Sequence, residues 1–263
     1  MSIIDMMSNE LVSIVMLSEN KEQYLKETVK SVQAQTYKNW ELLYVDDSQQ
    51  EDSIKLMMEA KNTDRRIKVS SFVFKNGQAR ARTTALRDAR GRWIAFIDAG
   101  ELWEPTKLEK QVAFMMEHGY AISYTKYRVI DRQGCDKGVV ISGPECINKE
   151  MMKECYWNQL LTVMYDTEKI GRLKIPNLVE NNGYAVLLLL SEKANFHLMK
   201  ECLAIQRNAK GLFSRVAFGR KFVWRYVAYR AVCKLGRIES VVKTFVNIWY
   251  TLLKRVKYVE RVG

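Results

Sequence analysis

Four carboxylates stand where chemistry is expected: Asp46, Asp47, Asp98 and Glu101. Each closes an apolar run. "WELLYV" (Trp40–Val45) ends at Asp46–Asp47, and "WIAFI" (Trp93–Ile97) ends at Asp98, with only Ala99 and Gly100 before Glu101. Acids gathered at the ends of buried strands repel one another unless a cation, or the donor groups of a ligand, sits among them. Simpler roles compete with this one. Asp98 and Glu101 can cap the turn after a strand, and Asp46–Asp47 can form a turn pair, since Asp favours turns. Arg82 stands among Arg80, Arg87, Arg90 and Arg92, which together read as a solvated helix face.

The elements that must position these groups alternate along the first half of the chain. "LVSIVML" (Leu11–Leu17), Trp40–Val45, "IKVSSFV" (Ile67–Val73) and Trp93–Ile97 read as strands, continuously apolar or nearly so, as in a sheet covered on both faces. Helices are expected between them: one capped by Asn20 with Tyr24, Leu25, Thr28, Val29 and Val32 on one face, one through "SIKLMMEA", and one over Gln78–Arg90 stopped by Gly91. That βαβαβαβ order predicts an α/β fold, a doubly wound and mostly parallel sheet, with ligands bound beyond the carboxyl ends of its strands. Further along, "KLEKQVAFMMEHG" and "YAVLLLLSEKA" read as helices, and "YAISYTKYRVI" and "LLTVMYD" as strands.

Across 263 residues, 48% are hydrophobic and 27% charged, an ordinary globular composition. No apolar run is long enough to span a membrane, and the N-terminus lacks the features of a secretory signal. Five widely spaced cysteines without a CxxC pair predict reduced thiols in a cytosolic compartment. His118 and His197 stand apart in the sequence and suggest no zinc site. "GQARARTTALRDARG" lacks the glycines and the Gly-Lys-Ser/Thr ending of a phosphate loop.

Several stretches resemble the inverting, nucleotide-sugar-dependent glycosyltransferases of family 2, which have the GT-A fold. They are "VSIVMLSENKEQYLKETVKSVQAQTYKNWELLYVDDS", "NGQARART", "GRWIAFIDAGELWEPTKLEKQ" and "LTVMYDTEKIG", so the likeness runs from about Leu11 to Ile205. The resemblance implies roles. Asp47 would hydrogen-bond the nucleotide base, with Asp46 beside it, and Leu17, Ser18 and Glu19 would pack around that base. Arg82 would approach the diphosphate, and Asp98 would bind the ribose or a divalent cation, manganese or magnesium. The donor would be a nucleotide sugar, a UDP-sugar being expected, and the acceptor a saccharide or a lipid-linked one in cell-surface polysaccharide synthesis.

The sequence departs from the family pattern at the positions that matter most. Gly100 replaces the second Asp of the Asp-x-Asp metal motif, leaving Glu101 as the candidate metal ligand. Gly183 in "ENNGYAVLLL" stands where the family carries its catalytic base, and Glu180 is the nearby carboxylate that can replace it. These losses keep open a second reading, a nucleotide-binding or scaffolding protein with impaired turnover.

The charge is lopsided. From Ile205 onward there are 14 Lys and Arg against two acids, so the whole net charge of +12 lies in this tail. Phe213, Phe218, Phe222, Trp224, Tyr226, Trp249 and Tyr250 interleave there with Arg215, Arg220, Arg225, Arg230, Lys254 and Arg255. The expected division is therefore a glycosyltransferase-like domain over 1–205 and a basic, aromatic-rich helical tail over 206–263. Three uses of the tail compete: lying on an anionic membrane, binding nucleic acid, or packing on the body or a partner chain. The membrane ranks first, which makes the protein peripheral on the inner face of the plasma membrane. Nucleic acid ranks low because no recognised module is present.

Overall fold

The computed structural model describes residues 10–18, 22–46, 50–72, 77–176, 182–207 and 218–261, and its strands join in a single sheet. The first half alternates as expected: β1 (Val12–Ser18), α1 (Glu22–Gln33), β2 (Trp40–Asp46), α2 (Glu51–Thr63), β3 (Ile67–Ser71), α3 (Gln78–Asp88) and β4 (Trp93–Asp98). β1 lies between β2 and β4, parallel to both, and β3 lies parallel on the outer side of β2.

The second half adds β5 (Leu102–Trp103), α4 (Lys107–His118), β6 (Ile122–Ile130), β7 (Asp136–Ile141), β8 (Cys146–Ile147), α5 (Lys149–Glu154) and a 3-10 turn (Leu160–Thr162). β9 (Val163–Asp166), α6 (Thr167–Ile170), α7 (Asn182–Ser191) and β10 (Phe196–Arg207) follow, then α8 (Phe218–Ala231), α9 (Arg237–Lys257) and β11 (Val259–Arg261). β9 inserts antiparallel between β4 and β6, so the sheet is parallel on one side and mixed on the other. β10 runs parallel to β6, with two irregularities in register.

Successive residues of a strand point to opposite faces, and both faces are dry here. Val15, Leu17, Leu43, Val45, Ile94 and Phe96 face one core, covered by α3 and α7. Ile14, Met16, Leu42, Tyr44, Ala95 and Ile97 face the other, covered by α1 and α4. The apolar run Tyr184–Leu190 is a buried helix, as expected, lying within α7. Gly91 sits under β1: a Cβ there would fall 2.5 Å from the Leu11 carbonyl oxygen, so only glycine lets the chain pass into β4.

The tail is part of the fold. β11 pairs antiparallel with β7, and Tyr229 of α8 lies in the same core as Tyr184. The division expected after residue 205 runs through β10, and residues 218–261 pack on the body rather than standing off from it.

Candidate active site at the strand ends

The parallel register carries the candidate residues to one place. Leu17 pairs across the sheet with Val45 on one side and Asp98 on the other, and Ser18 pairs with Asp46. Leu17 itself is buried and faces the core. Asp46, last residue of β2, is buried and accepts a 2.9 Å hydrogen bond from the Tyr44 hydroxyl. Glu19, Asp47 and Glu180, and the cap expected at Asn20, lie outside the described residues.

After Asp98 the chain turns tightly. The Glu101 amide donates to the Asp98 carbonyl at 3.0 Å, and Gly100, third residue of the turn, has φ +92°. A type II turn needs a positive φ there, which L side chains avoid. This is a physical reason for Gly100 where the family pattern has Asp. Thr28 of α1, buried behind the turn, accepts from the Gly100 amide at 3.0 Å and donates to the Glu101 carbonyl at 2.8 Å. The Glu101 side chain folds back too: its Oε2 accepts from the Asp98 amide at 2.9 Å.

Arg82 leaves the solvated arginine face. Helical periodicity points Arg80 and Arg87 to solvent and Arg82 inward, where its side chain is 3% exposed. Its Nη2 donates to both carboxylate oxygens of Asp98, at 2.9 and 2.7 Å, while Nη1 is buried with no hydrogen-bond partner among the described residues. The pair edges a cavity of about 170 Å³, walled also by Gln78, Glu101, Tyr156, Gln159 and Gly183. Tyr156 donates to Gln159 Oε1 at 3.1 Å. Burial pushes its hydroxyl well above the ordinary tyrosine value, so it serves as a hydrogen-bond donor and not as a base. Among the described residues a Cβ at Gly183 would meet the Tyr156 hydroxyl at 3.5 Å and Leu160 Cβ at 3.9 Å, which is room for a side chain.

These residues do not fit the expected divalent cation. A hard cation takes six or more oxygens, carboxylates prominent among them. Here Gly100 supplies no side-chain oxygen, Glu101 turns Oε2 onto a backbone amide, and both Asp98 oxygens face a guanidinium. Among the described residues no three His, Cys, Asp or Glu come together in a way that could hold a metal. His118 and His197, remote in sequence, both stack on Tyr120, with centroids at 5.2 and 3.7 Å, and the five cysteines are free thiols.

Tyr156, Gln159 and Gln78 were not candidates from the sequence. Gln78 lay in "NGQARART", a stretch singled out already, but Tyr156 and Gln159 occupy an irregular segment with no periodic signal.

An arginine–aspartate pair beyond the parallel strand ends now stands beside a direct comparison of sequences. The profile of "Glycosyl transferase family 2" matches residues 13–174. The chain belongs to glycosyltransferase family 2. This family 2 chain is 35% identical over 198 residues to TuaG of Bacillus subtilis (strain 168), whose name places it in teichuronic acid biosynthesis; the match covers 75% of this chain and 79% of TuaG. It is 32% identical over 186 residues, 71% of this chain and 72% of the other, to WfgD of Escherichia coli, named as a UDP-Glc:alpha-D-GlcNAc-diphosphoundecaprenol beta-1,3-glucosyltransferase. In fold it is similar to S. aureus TarS 1-349, solved with UDP-GlcNAc, at a TM-score of 0.67 and 16% identity over 93% of this chain and 74% of that one. The GT-A fold expected from the sequence is therefore the fold observed.

Proposed function

We propose that this glycosyltransferase moves a sugar from a UDP-sugar to a saccharide or lipid-linked acceptor in the synthesis of a cell-surface polysaccharide. The observation that carries the reading is the pair between buried Arg82 and part-exposed Asp98 at the edge of the strand-end cavity. The name of WfgD supports the class of donor and acceptor, and that of TuaG the polymer-synthesis role. In this reading Asp47 holds the base, with Ser18 and Glu19 around it, whereas Leu17 and Asp46, buried, with Asp46 accepting from the Tyr44 hydroxyl, support the strand ends from behind. Asp98 accepts from the ribose, and Arg82 turns its second nitrogen to the diphosphate.

The reaction is a single inverting displacement. The acceptor oxygen forms a bond to the anomeric carbon as the bond from that carbon to the diphosphate oxygen breaks. Glu180 takes the hydroxyl proton, and UDP leaves with its charge met by Arg82. Glu101 shapes the turn that presents Asp98 and acts as a positioning residue. This scheme uses no cation, since Asp98 and Glu101, the described acids expected to hold one, are engaged with Arg82 and the Asp98 amide. The basic tail keeps the protein peripheral on the inner face of the plasma membrane, and the described helices include none long and apolar enough to cross one.

The test is UDP release by the full chain given UDP-glucose or UDP-GlcNAc and a GlcNAc-diphosphoundecaprenol acceptor. Acceptor-dependent release is expected. Release that ignores the acceptor, or none with any nucleotide sugar, removes the reading.

A further inference from the structure

Helix α9 is built inside out. Its face toward the body is polar: Ser240, Thr244 and Asn247 are fully buried, and Lys254 nearly so. Its opposite face is apolar and largely exposed: Ile238, Val242, Phe245, Trp249, Leu252 and Val256 recur at steps of four and three, with Ile238 83%, Trp249 60% and Val256 87% exposed. Water alone would select the reverse arrangement.

The inward face has a clear task. The Lys153 carbonyl, near the C-terminal end of α5, lacks a helical partner. The Tyr229 hydroxyl and Asn247 Nδ2 both donate to it. Asn247 also donates to the Tyr184 hydroxyl at 2.9 Å, and Lys254 Nζ donates to the carbonyls of Tyr156, at 3.1 Å, and Trp157. That polar docking leaves the hydrophobic stripe outward: Phe222 of α8 meets Phe245 edge-on, with ring centroids 5.2 Å apart, and the rest of the stripe stays largely exposed among the described residues.

We propose that the outward face of α9 is the surface by which the protein docks on an anionic lipid bilayer. This rests on the reading of the tail as membrane-directed and names the element that makes the contact. The occupant follows from charge and shape together. A lipid surface offers hydrocarbon for the apolar stripe and anionic headgroups for the cations beside it, among them exposed Arg237 and Lys257 in a tail holding all the net positive charge. The same helix bears on the active site. Its inner face holds the Tyr156 carbonyl, and Tyr156 lines the cavity, so α9, ~10–12 Å across, and Tyr156 itself stand between lipid and site. A lipid-linked acceptor has that span to cover.

The test uses the full chain with vesicles of phosphatidylglycerol and phosphatidylcholine, or of phosphatidylcholine alone, without donor or acceptor, so that transferase failure cannot mimic docking failure. The native protein is expected to sediment with the anionic vesicles. The triple variant Ile238→Ser, Trp249→Ser, Val256→Ser is expected to bind at least tenfold more weakly with an unchanged melting temperature. Lipids brominated on the acyl chain should quench native fluorescence, and Trp249→Phe, a conservative change at an exposed position, should abolish that quenching even if the triple variant folds poorly. Equal sedimentation of native and triple variant, or quenching unaffected by Trp249→Phe, overturns the proposal. So does a native dimer, without vesicle binding, that the triple variant converts to a monomer, because the face is then an interface between two copies of the chain.

Discussion

A single nitrogen of Arg82, Nη2, holds both carboxylate oxygens of Asp98, at 2.9 and 2.7 Å, and leaves Nη1 at the cavity edge without a partner among the described residues. The pair joins α3 to the end of β4 and neutralises a guanidinium that is almost fully buried. Asp98→Asn keeps the shape and removes the counter-charge. Uncompensated buried charge is costly, but the Asp98 side chain is 38% exposed, so solvent shares the cost. The expected loss is on the order of 1–2 kcal/mol, read by chemical denaturation. No change in the midpoint would show that the pair contributes nothing to the fold.

Thr28 fixes the turn that presents Asp98. Thr28→Val is nearly isosteric and strips the Gly100 amide and the Glu101 carbonyl of their side-chain partner. A loss of about 2 kcal/mol is expected, read as a fall in melting temperature of roughly 2–4 °C per kcal/mol. A variant as stable as the native chain would mean that water replaces the hydroxyl.

Much of this was legible in the sequence, for physical reasons. β1, β2 and β4 are buried on both faces, so each is a nearly continuous apolar run, and β2 and β4 end at an acid. β10 was missed because Lys200 and Glu201 interrupt its apolar residues, near the irregularities in its register with β6. β11 is three residues long on a sheet edge and has no pattern to read. Asp98 was singled out at a strand end and Arg82 through family resemblance, but sequence cannot report that they face each other. The tail's charge was plain from composition. Its reversed helix was not, because a pattern of apolar and polar residues does not say which side meets the protein.

Glu180 and Gly183 make a rescue experiment. Glu180→Gln is expected to lower kcat by about 10²–10⁴-fold if Glu180 takes the acceptor proton. Adding Gly183→Asp should restore part of the rate, since a side chain at 183 has room beside the Tyr156 hydroxyl. Initial rates of UDP release read both. An unchanged kcat in Glu180→Gln removes it as the base.

Lys107 gives the fold a pH slope. It is fully buried, donates to Gln111 Oε1 at 2.7 Å and lies 4.3 Å from the centre of the Trp103 ring; burial depresses its ammonium to about 7. In the unfolded chain the same group titrates near 10.5. Between those values the unfolded chain binds more protons, so stability should rise with pH above about 7. Denaturation midpoints at pH 7 and 9 measure this, and Lys107→Met should flatten the difference. An equal slope in the variant would place the titrating group elsewhere.

The central claim is that Arg82, and not a metal, meets the charge of the nucleotide diphosphate. Calorimetric titration of the full chain with UDP in excess EDTA tests it most directly, run beside Arg82→Gln. The native protein should bind UDP without a divalent cation, and Arg82→Gln should weaken binding at least tenfold, a loss of about 1.4 kcal/mol. Binding that EDTA abolishes, or that Arg82→Gln leaves unchanged, would contradict the claim.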